Sequence, residues 1–238
     1  MERVQKVINN SGYTSRRNAE LLIKEGKVLI NGKVANIGDK VSNEDIITVE
    51  GKQINQNNHN YEYYILNKPR GVVSTSKDEK GRKTVVDLID TKIRIYPVGR
   101  LDYDTTGAII LTNDGELTNK LLHPRNNIDK IYLAKVSGIL TGSDIHKLED
   151  GVKIDNYKTS PAKVKLKSFD KKSNTSMVLI TIHEGHNHEI KKMFEVIGFK
   201  VDKLTRLSFA GIDVKNLKSG EYRKLGLKEV QRLYSLVK

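Results

Sequence analysis

The sequence predicts an α+β fold in two parts: a small helix–helix–hairpin domain, then a larger domain built on a mixed or antiparallel sheet. Three observations carry this. Residues 1–50 hold two short helical periodicities followed by an Asn-Gly hairpin signal. Residues 51–60, Gly-Lys-Gln-Ile-Asn-Gln-Asn-Asn-His-Asn, are polar with nothing to bury and read as a flexible linker. From 61 to 238, runs of adjacent strand-like segments are punctuated by helices, and 238 residues suit one large domain or two at ~150 residues each.

In the first part, Val4, Val7 and Ile8 recur at i, i+3, i+4 and predict a helix closing near Ser11-Gly12. A second helix follows, with Ser15 as N-cap, Ala19, Leu22 and Ile23 as its buried face, and Gly26 as the stop. Val28 and Ile30, the Asn31-Gly32 turn and Val34 form a hairpin, and Ile46 to Val49 adds a strand. The exposed side carries Arg16, Arg17, Lys24, Lys27 and Lys33.

In the second part, strands are expected at Tyr61–Asn67 and, after the Lys68-Pro69-Arg70-Gly71 turn, at Val72–Thr75. Val85, Val86, Leu88 and Ile89 fit a helix. Two strands, 93–98 and 108–111, flank a polar loop, and Asn113-Asp114-Gly115 turns into a helix ended by Pro124. A strand at 131–136, a helical piece at 144–148, two strands at 162–169 and 177–183, and further strands at 201–209, 212–214 and 222–225 complete the sheet. Ile190, Met193, Phe194 and Ile197 give the clearest amphipathic helix, and 227–237 is a terminal one.

Composition narrows the function. Forty-two Lys and Arg against 29 Asp and Glu leave +13, an excess that points to a polyanion, with nucleic acid ahead of an anionic membrane surface. Most of the excess lies beyond residue 58, since residues 1–58 hold nine basic and seven acidic side chains. Absence of cysteine removes disulfides, thiolate nucleophiles and cysteine-ligated zinc. No apolar run of membrane-spanning length and no signal segment occurs, so the expected setting is the cytoplasm, with no membrane partner.

Chemistry would be organised around Pro97-Val98-Gly99-Arg100-Leu101-Asp102-Tyr103-Asp104-Thr105-Thr106-Gly107. Here a basic side chain stands beside a carboxylate, in a loop with a glycine near either end. Aspartates that cap turns produce the same composition, so the loop alone leaves site and turn both open. Asp102 and Asp104 point the same way on an extended chain, yet glycosidase carboxylates normally come from separate elements, and Asp104 reads as a turn residue. His183, His186 and His188 with Glu184 form the one cluster that could ligate a metal; imidazoles there could equally donate to phosphate. The helix opening at Glu189 offers backbone N–H groups to an anion. Walker loops, dinucleotide fingerprints and Gly-x-Ser-x-Gly elbows are absent.

Two resemblances sharpen this. Val4-Gln5-Lys6-Val7-Ile8, the run from Ser15 to Val28 and Asn31-Gly32-Lys33 resemble the ribosomal-protein S-four type (alpha-L) RNA-binding domain, in which the second helix and the hairpin grip structured RNA. Further on, Asn67-Lys68-Pro69-Arg70-Gly71-Val72-Val73, Gly81-Arg82-Lys83-Thr84-Val85, Pro97 through Asp102 to Gly115, Lys130-Ile131-Tyr132 and the run Glu184 to Met193 stand in order. Together they are similar to the RsuA/RluB family of ribosomal RNA pseudouridine synthases, and within it most to the RluB branch, which acts on large-subunit RNA.

The resemblance implies an isomerase that needs no cofactor and no metal, acting on ribosomal RNA or a pre-ribosomal particle, with a monomer expected. Domains follow as 1–50 RNA-binding, 51–60 linker and 61–238 catalytic. Asp102 would act at the ribose, as nucleophile or in proton abstraction, and Arg100 would help keep the target base out of its stack. Tyr132 would stack on the uracil and take the C5 proton, and Lys191 would keep Asp102 ionised. The last motif departs from the family's arginine-rich pattern, offering His186, His188, Glu189, Lys191 and Lys192; of these His186, His188 and Lys192 are expected RNA contacts, with Arg16, Arg17, Lys24, Lys27 and Lys33 in the first domain. The competing readings are a small-subunit RNA substrate, a non-catalytic rRNA-binding assembly factor, and a metal-dependent nucleic-acid enzyme using His183, His186 and His188.

Overall fold

The computed structural model describes residues 1–56 and 60–237. The chain divides into two compact units, one made of residues 1–62 with 91–94 and 113–115, the other of the remainder.

The first unit starts with helices α1 (Val4–Asn10) and α2 (Arg16–Lys24). The Ser15 hydroxyl accepts the Asn18 N–H at 3.1 Å, satisfying a donor the helix cannot. The hairpin of β1 (Val28–Ile30) and β2 (Lys33–Val34) turns on Asn31 and Gly32, both at positive φ, as the turn matching strand twist requires. Strand β3 (Ile47–Val49) pairs with β1, and β4 (Lys52–Gln53) with β3. Val4, Ile8, Ala19, Ile23, Val28 and Ile47 form the core, joined by Ile54, only 8% exposed. The linker expected from residue 51 therefore starts later. Its one isoleucine is drawn into the core because burying such a side chain contributes about 1.5–3 kcal/mol. Residues 57–59 of that stretch lie outside the described residues. Arg16, Arg17, Lys24, Lys27 and Lys33 are all exposed.

The second unit is built on a nine-stranded mixed sheet. Its strands are β5 (Tyr63–Lys68), β6 (Tyr96–Pro97), β7 (Thr106–Thr112), β8 (Lys130–Ser137), β9 (Lys163–Asp170), β10 (Thr175–Ile182), β11 (Lys200–Phe209), β12 (Ile212–Asp213) and β13 (Tyr222–Lys224). The spatial order is β9-β10-β8-β11-β7-β5-β13, with β12 on β11 and β6 on β7. Only β11 and β7 run parallel, through Thr205↔Thr106 and Arg206↔Gly107. Helices α3 (Gly115–Leu122), α4 (Gly142–Glu149), α5 (Glu189–Val196) and α6 (Leu227–Ser235) complete it. Ile65, Ala108 and Ile110 of the sheet pack with Leu117, Leu121 and Leu233 in the core.

Two expected elements fail. Val72–Thr75 is not a strand: Val73 makes a single bridge to Thr84, and without a ladder of partners the extended segment has nothing to propagate along. Residues 85–89 form only a short 3-10 turn, Val86–Leu88, entered where Asp87 accepts the Thr84 N–H at 2.8 Å.

Candidate active site

The polar loop leaves the sheet at Val98, whose N–H still bonds Ile110 O at 2.8 Å, and returns at Thr106. Four residues hold its shape. Ser74 Oγ donates to Leu101 O at 2.8 Å and accepts the Leu101 N–H at 3.1 Å. The Lys68 ammonium, fully buried, donates to the carbonyls of Pro69 at 3.1 Å, Asp102 at 3.1 Å and Thr105 at 2.9 Å. Burial lowers its pKa to about 8, against the opposing pull of Asp102 and Asp104. Gly71 N–H bonds Tyr103 O at 2.8 Å. Finally, Gly107 is at φ +106, and a Cβ there would lie 2.1 Å from Arg206 O; only glycine lets β7 and β11 meet at this point.

The loop thus presents Asp102 to a cavity of about 300 Å³, lined among others by Asp102, Lys130, Tyr132, Glu189, Lys191 and Arg206. That is the small end of ligand clefts, suited to a single nucleoside. Tyr132, 7% exposed, stands on β8 directly across from Arg206 on β11. Helix α5 delivers Lys191, whose Nζ is 3.3 Å from Asp102 Oδ2 and 2.7 Å from Asp104 Oδ1. The hydrogen bond to Lys191 holds the Asp104 carboxyl below the usual range. The sequence-based reading of Asp104 as a turn residue is incomplete, because its carboxylate grips the ammonium that stands beside Asp102.

Arg100 is exposed and lines the same cavity. The histidines all border the cavity but take separate partners. His183 Nδ1 is 2.9 Å from Asp129, the His186 ring lies 4.4 Å from that of Tyr157 at a tilt of 42°, and His188 Nε2 lies 3.6 Å from Asp102. Among the described residues, no group of three or more such side chains could hold a metal ion, so the geometry does not build the metal site considered above. Lys192, expected on RNA, is held by Asp155.

In the cavity wall, Glu189 accepts the His186 N–H at 2.8 Å. Burial, then the hydrogen bond with Glu184, push its pKa up to about 8, favouring the protonated form. Despite burial, Glu184 is held below the usual carboxylate range by hydrogen bonds from Glu189 and from Ser160. Lys130 donates to His183 O at 2.6 Å, and burial together with nearby Arg206 lowers its pKa to about 8.

Comparison with known proteins decides the family. Residues 62–196 match RNA pseudouridylate synthase and residues 2–47 match the S4 domain. The chain is 50% identical to the ribosomal large subunit pseudouridine synthase B of Bacillus subtilis, over 99% of this chain and 97% of that one. The chain belongs to the RNA pseudouridylate synthase family. The dual-specificity RNA pseudouridine synthase RluF of Salmonella typhi is 38% identical over 99% of this chain and 79% of its own. A crystal structure of a pseudouridylate synthase superposes with a TM-score of 0.70 at 28% identity, covering 98% of this chain and all of that one.

This pseudouridine synthase uses residues that sequence reasoning left without a role. Lys68 and Ser74 act on the loop through its carbonyls and amides, which leaves no signature in side-chain spacing. Asp102, Tyr132 and Lys191 fall within residues 62–196, whereas Arg206 lies past them. Arg206 stands two residues from Leu204, on the same face of a strand, and that was the available signal, because an arginine is seldom buried without a reason.

Proposed function

We propose that this pseudouridine synthase isomerises a uridine of large-subunit ribosomal RNA. The observation that carries the reading is the convergence of Asp102, Lys191 and Tyr132 on one nucleoside-sized cavity, with Lys191 bridging Asp102 and Asp104. The 50% identity to a synthase named for the large subunit supports the substrate.

The chemistry is atom-balanced and redox-neutral. The C1′–N1 bond breaks, the base turns, a C1′–C5 bond forms, the C5 proton leaves and N1 takes up a proton. Asp102 acts at the sugar, either as nucleophile on C1′ or by taking a ribose proton. Lys191, its Nζ 3.3 Å from Oδ2, pairs with that carboxylate and holds it in place. Tyr132 stacks on the uracil and receives the C5 proton, and Arg100 helps keep the base extruded. The module of residues 1–54 grips folded RNA through Arg16, Arg17, Lys24, Lys27 and Lys33, while residues 61–238 do the chemistry on rRNA or a pre-ribosomal particle. The enzyme works as a cytoplasmic monomer.

The test is tritium release from C5-labelled uridine in transcripts of each ribosomal RNA, followed by mapping of the product. Release from the large-subunit transcript alone is expected. Release only from the small-subunit RNA would overturn the substrate assignment, and none from either would overturn the reading as a whole.

A further inference from the structure

Arg206 is 2% exposed and lines the catalytic cavity. Its Nε donates to Ala108 O at 2.6 Å, but Nη2 is buried with no partner. Among the described residues no carboxylate forms an ion pair with it, and the nearby charge named above, Lys130, is also a cation. The guanidinium lies 4.9 Å from the Phe209 ring centroid and 6.0 Å from that of Tyr132. Aromatic faces offset part of the cost of burying a cation, yet buried charges are normally paired and hydrogen-bonded. A planar donor fork kept short of acceptors in a catalytic cavity is suited to negative charge that arrives only with the substrate or develops during reaction.

The reaction supplies such charge. Whichever way Asp102 acts on the sugar, the C1′–N1 bonding pair leaves with the base, and the detached uracil is an anion delocalised over N1, O2 and O4. It must stay in the cavity while it turns. A half-turn about the N3–C6 axis exchanges N1 with C5 and, at the same time, O2 with O4. A donor fixed at one carbonyl before the turn therefore meets the other carbonyl after it.

We infer that Arg206 is the seat of the detached uracil: its free N–H groups bond a uracil carbonyl, stabilise the anion as the C1′–N1 bond breaks, and hold it through the turn. The backbone contact with Gly107 fixes β11, and hence Arg206, to the strand that carries the catalytic loop. Charge balances without a further reactant. The pair that leaves on N1 returns to C1′ from C5; Tyr132 takes the C5 proton as its hydroxyl gives its own to solvent, and N1 takes up a proton from water, so the product is neutral. This rests on the isomerase reading above and adds a catalytic residue to it.

Single-turnover rates of the full chain, Arg206→Met and Arg206→Lys on the substrate RNA test it, with uridine or 5-fluorouridine at the target. Fluorine makes the base a more stable anion, and C1′–C5 bond formation on both nucleotides is read by chromatography of the digested RNA, the fluorinated base, with no C5 proton to lose, ending as a C5-glycoside that has taken up water at C6. Arg206→Met is expected to lose about 10²-fold or more on uridine, the loss typical of one transition-state donor, with RNA affinity unchanged. On 5-fluorouridine its loss should be smaller by about tenfold. Arg206→Lys keeps the charge without the fork and should show a lesser loss with the same dependence on the base; it decides the matter if the Met variant does not fold. Equal losses on the two bases, a loss confined to RNA affinity, or no loss would each overturn the inference. An inactive wild-type protein would instead sink the isomerase reading.

Discussion

Gly107 and Arg206 are backbone neighbours at the single parallel pairing of the sheet, so close that a Cβ on Gly107 would lie 2.1 Å from Arg206 O and 2.8 Å from its N. The loop bearing Asp102 and the strand bearing Arg206 are thereby joined through the smallest residue available. Gly107→Ala must both strain a φ of +106 and push the strands apart. It should destabilise the catalytic unit by about 2–4 kcal/mol, as denaturant unfolding would show, and abolish turnover. A variant as stable and active as the parent would mean that the strands separate at no cost.

The two aspartates of the loop should separate in kinetics. Asp102→Asn should cost about 10³-fold or more in tritium release with RNA affinity nearly unchanged, since on the proposed mechanism it removes the group that acts on the sugar. Asp104→Asn releases Lys191 from its 2.7 Å partner and should cost about tenfold, roughly 1.4 kcal/mol of barrier. Because the pair is partly exposed, stability should change by less than about 1 kcal/mol. Undiminished turnover in Asp104→Asn would return that residue to a purely structural role.

Glu189 gives a pH signature. Its folded pKa of about 8 lies above the ordinary 4.5, so between these values the folded protein binds more protons than the unfolded chain. Stability from this group is fully present below about pH 4.5 and is lost as pH rises through about 8. Glu189→Gln keeps an acceptor for the His186 N–H and cannot ionise. Its melting temperature should therefore gain on the parent's as pH rises from 5 to 8 and run parallel above that. A constant difference across this range would show that Glu189 ionises normally.

The first unit should contribute through charge. Replacing Arg16, Arg17, Lys24, Lys27 and Lys33 by glutamine should weaken RNA binding and flatten the plot of log affinity against log salt, by about 0.7–0.9 for each phosphate no longer neutralised. Filter binding at several salt concentrations reads both. An unchanged slope would place the RNA elsewhere.

What could be read from the sequence were the features whose causes are local. Ser15 caps α2, Asn31-Gly32 turns the hairpin and Ile190, Met193, Phe194 and Ile197 mark α5, because capping, positive φ and helical periodicity each act over a few residues. The ordered motifs singled out Asp102, Tyr132 and Lys191, and the structure brings all three to one cavity.

Tertiary structure decided what depends on distant partners. Whether Val72–Thr75 became a strand turned on a ladder that no neighbouring segment supplied, and Ile54 left the linker because a core lay within reach. Asp104 gained a partner 87 residues away in Lys191, Lys68 reached Thr105 across 37 residues, and Arg206 found the Ala108 carbonyl across 98. Spacing along the chain carries no information about such meetings. A hydrogen bond or an ion pair depends on separation in space, and only the packed sheet sets that.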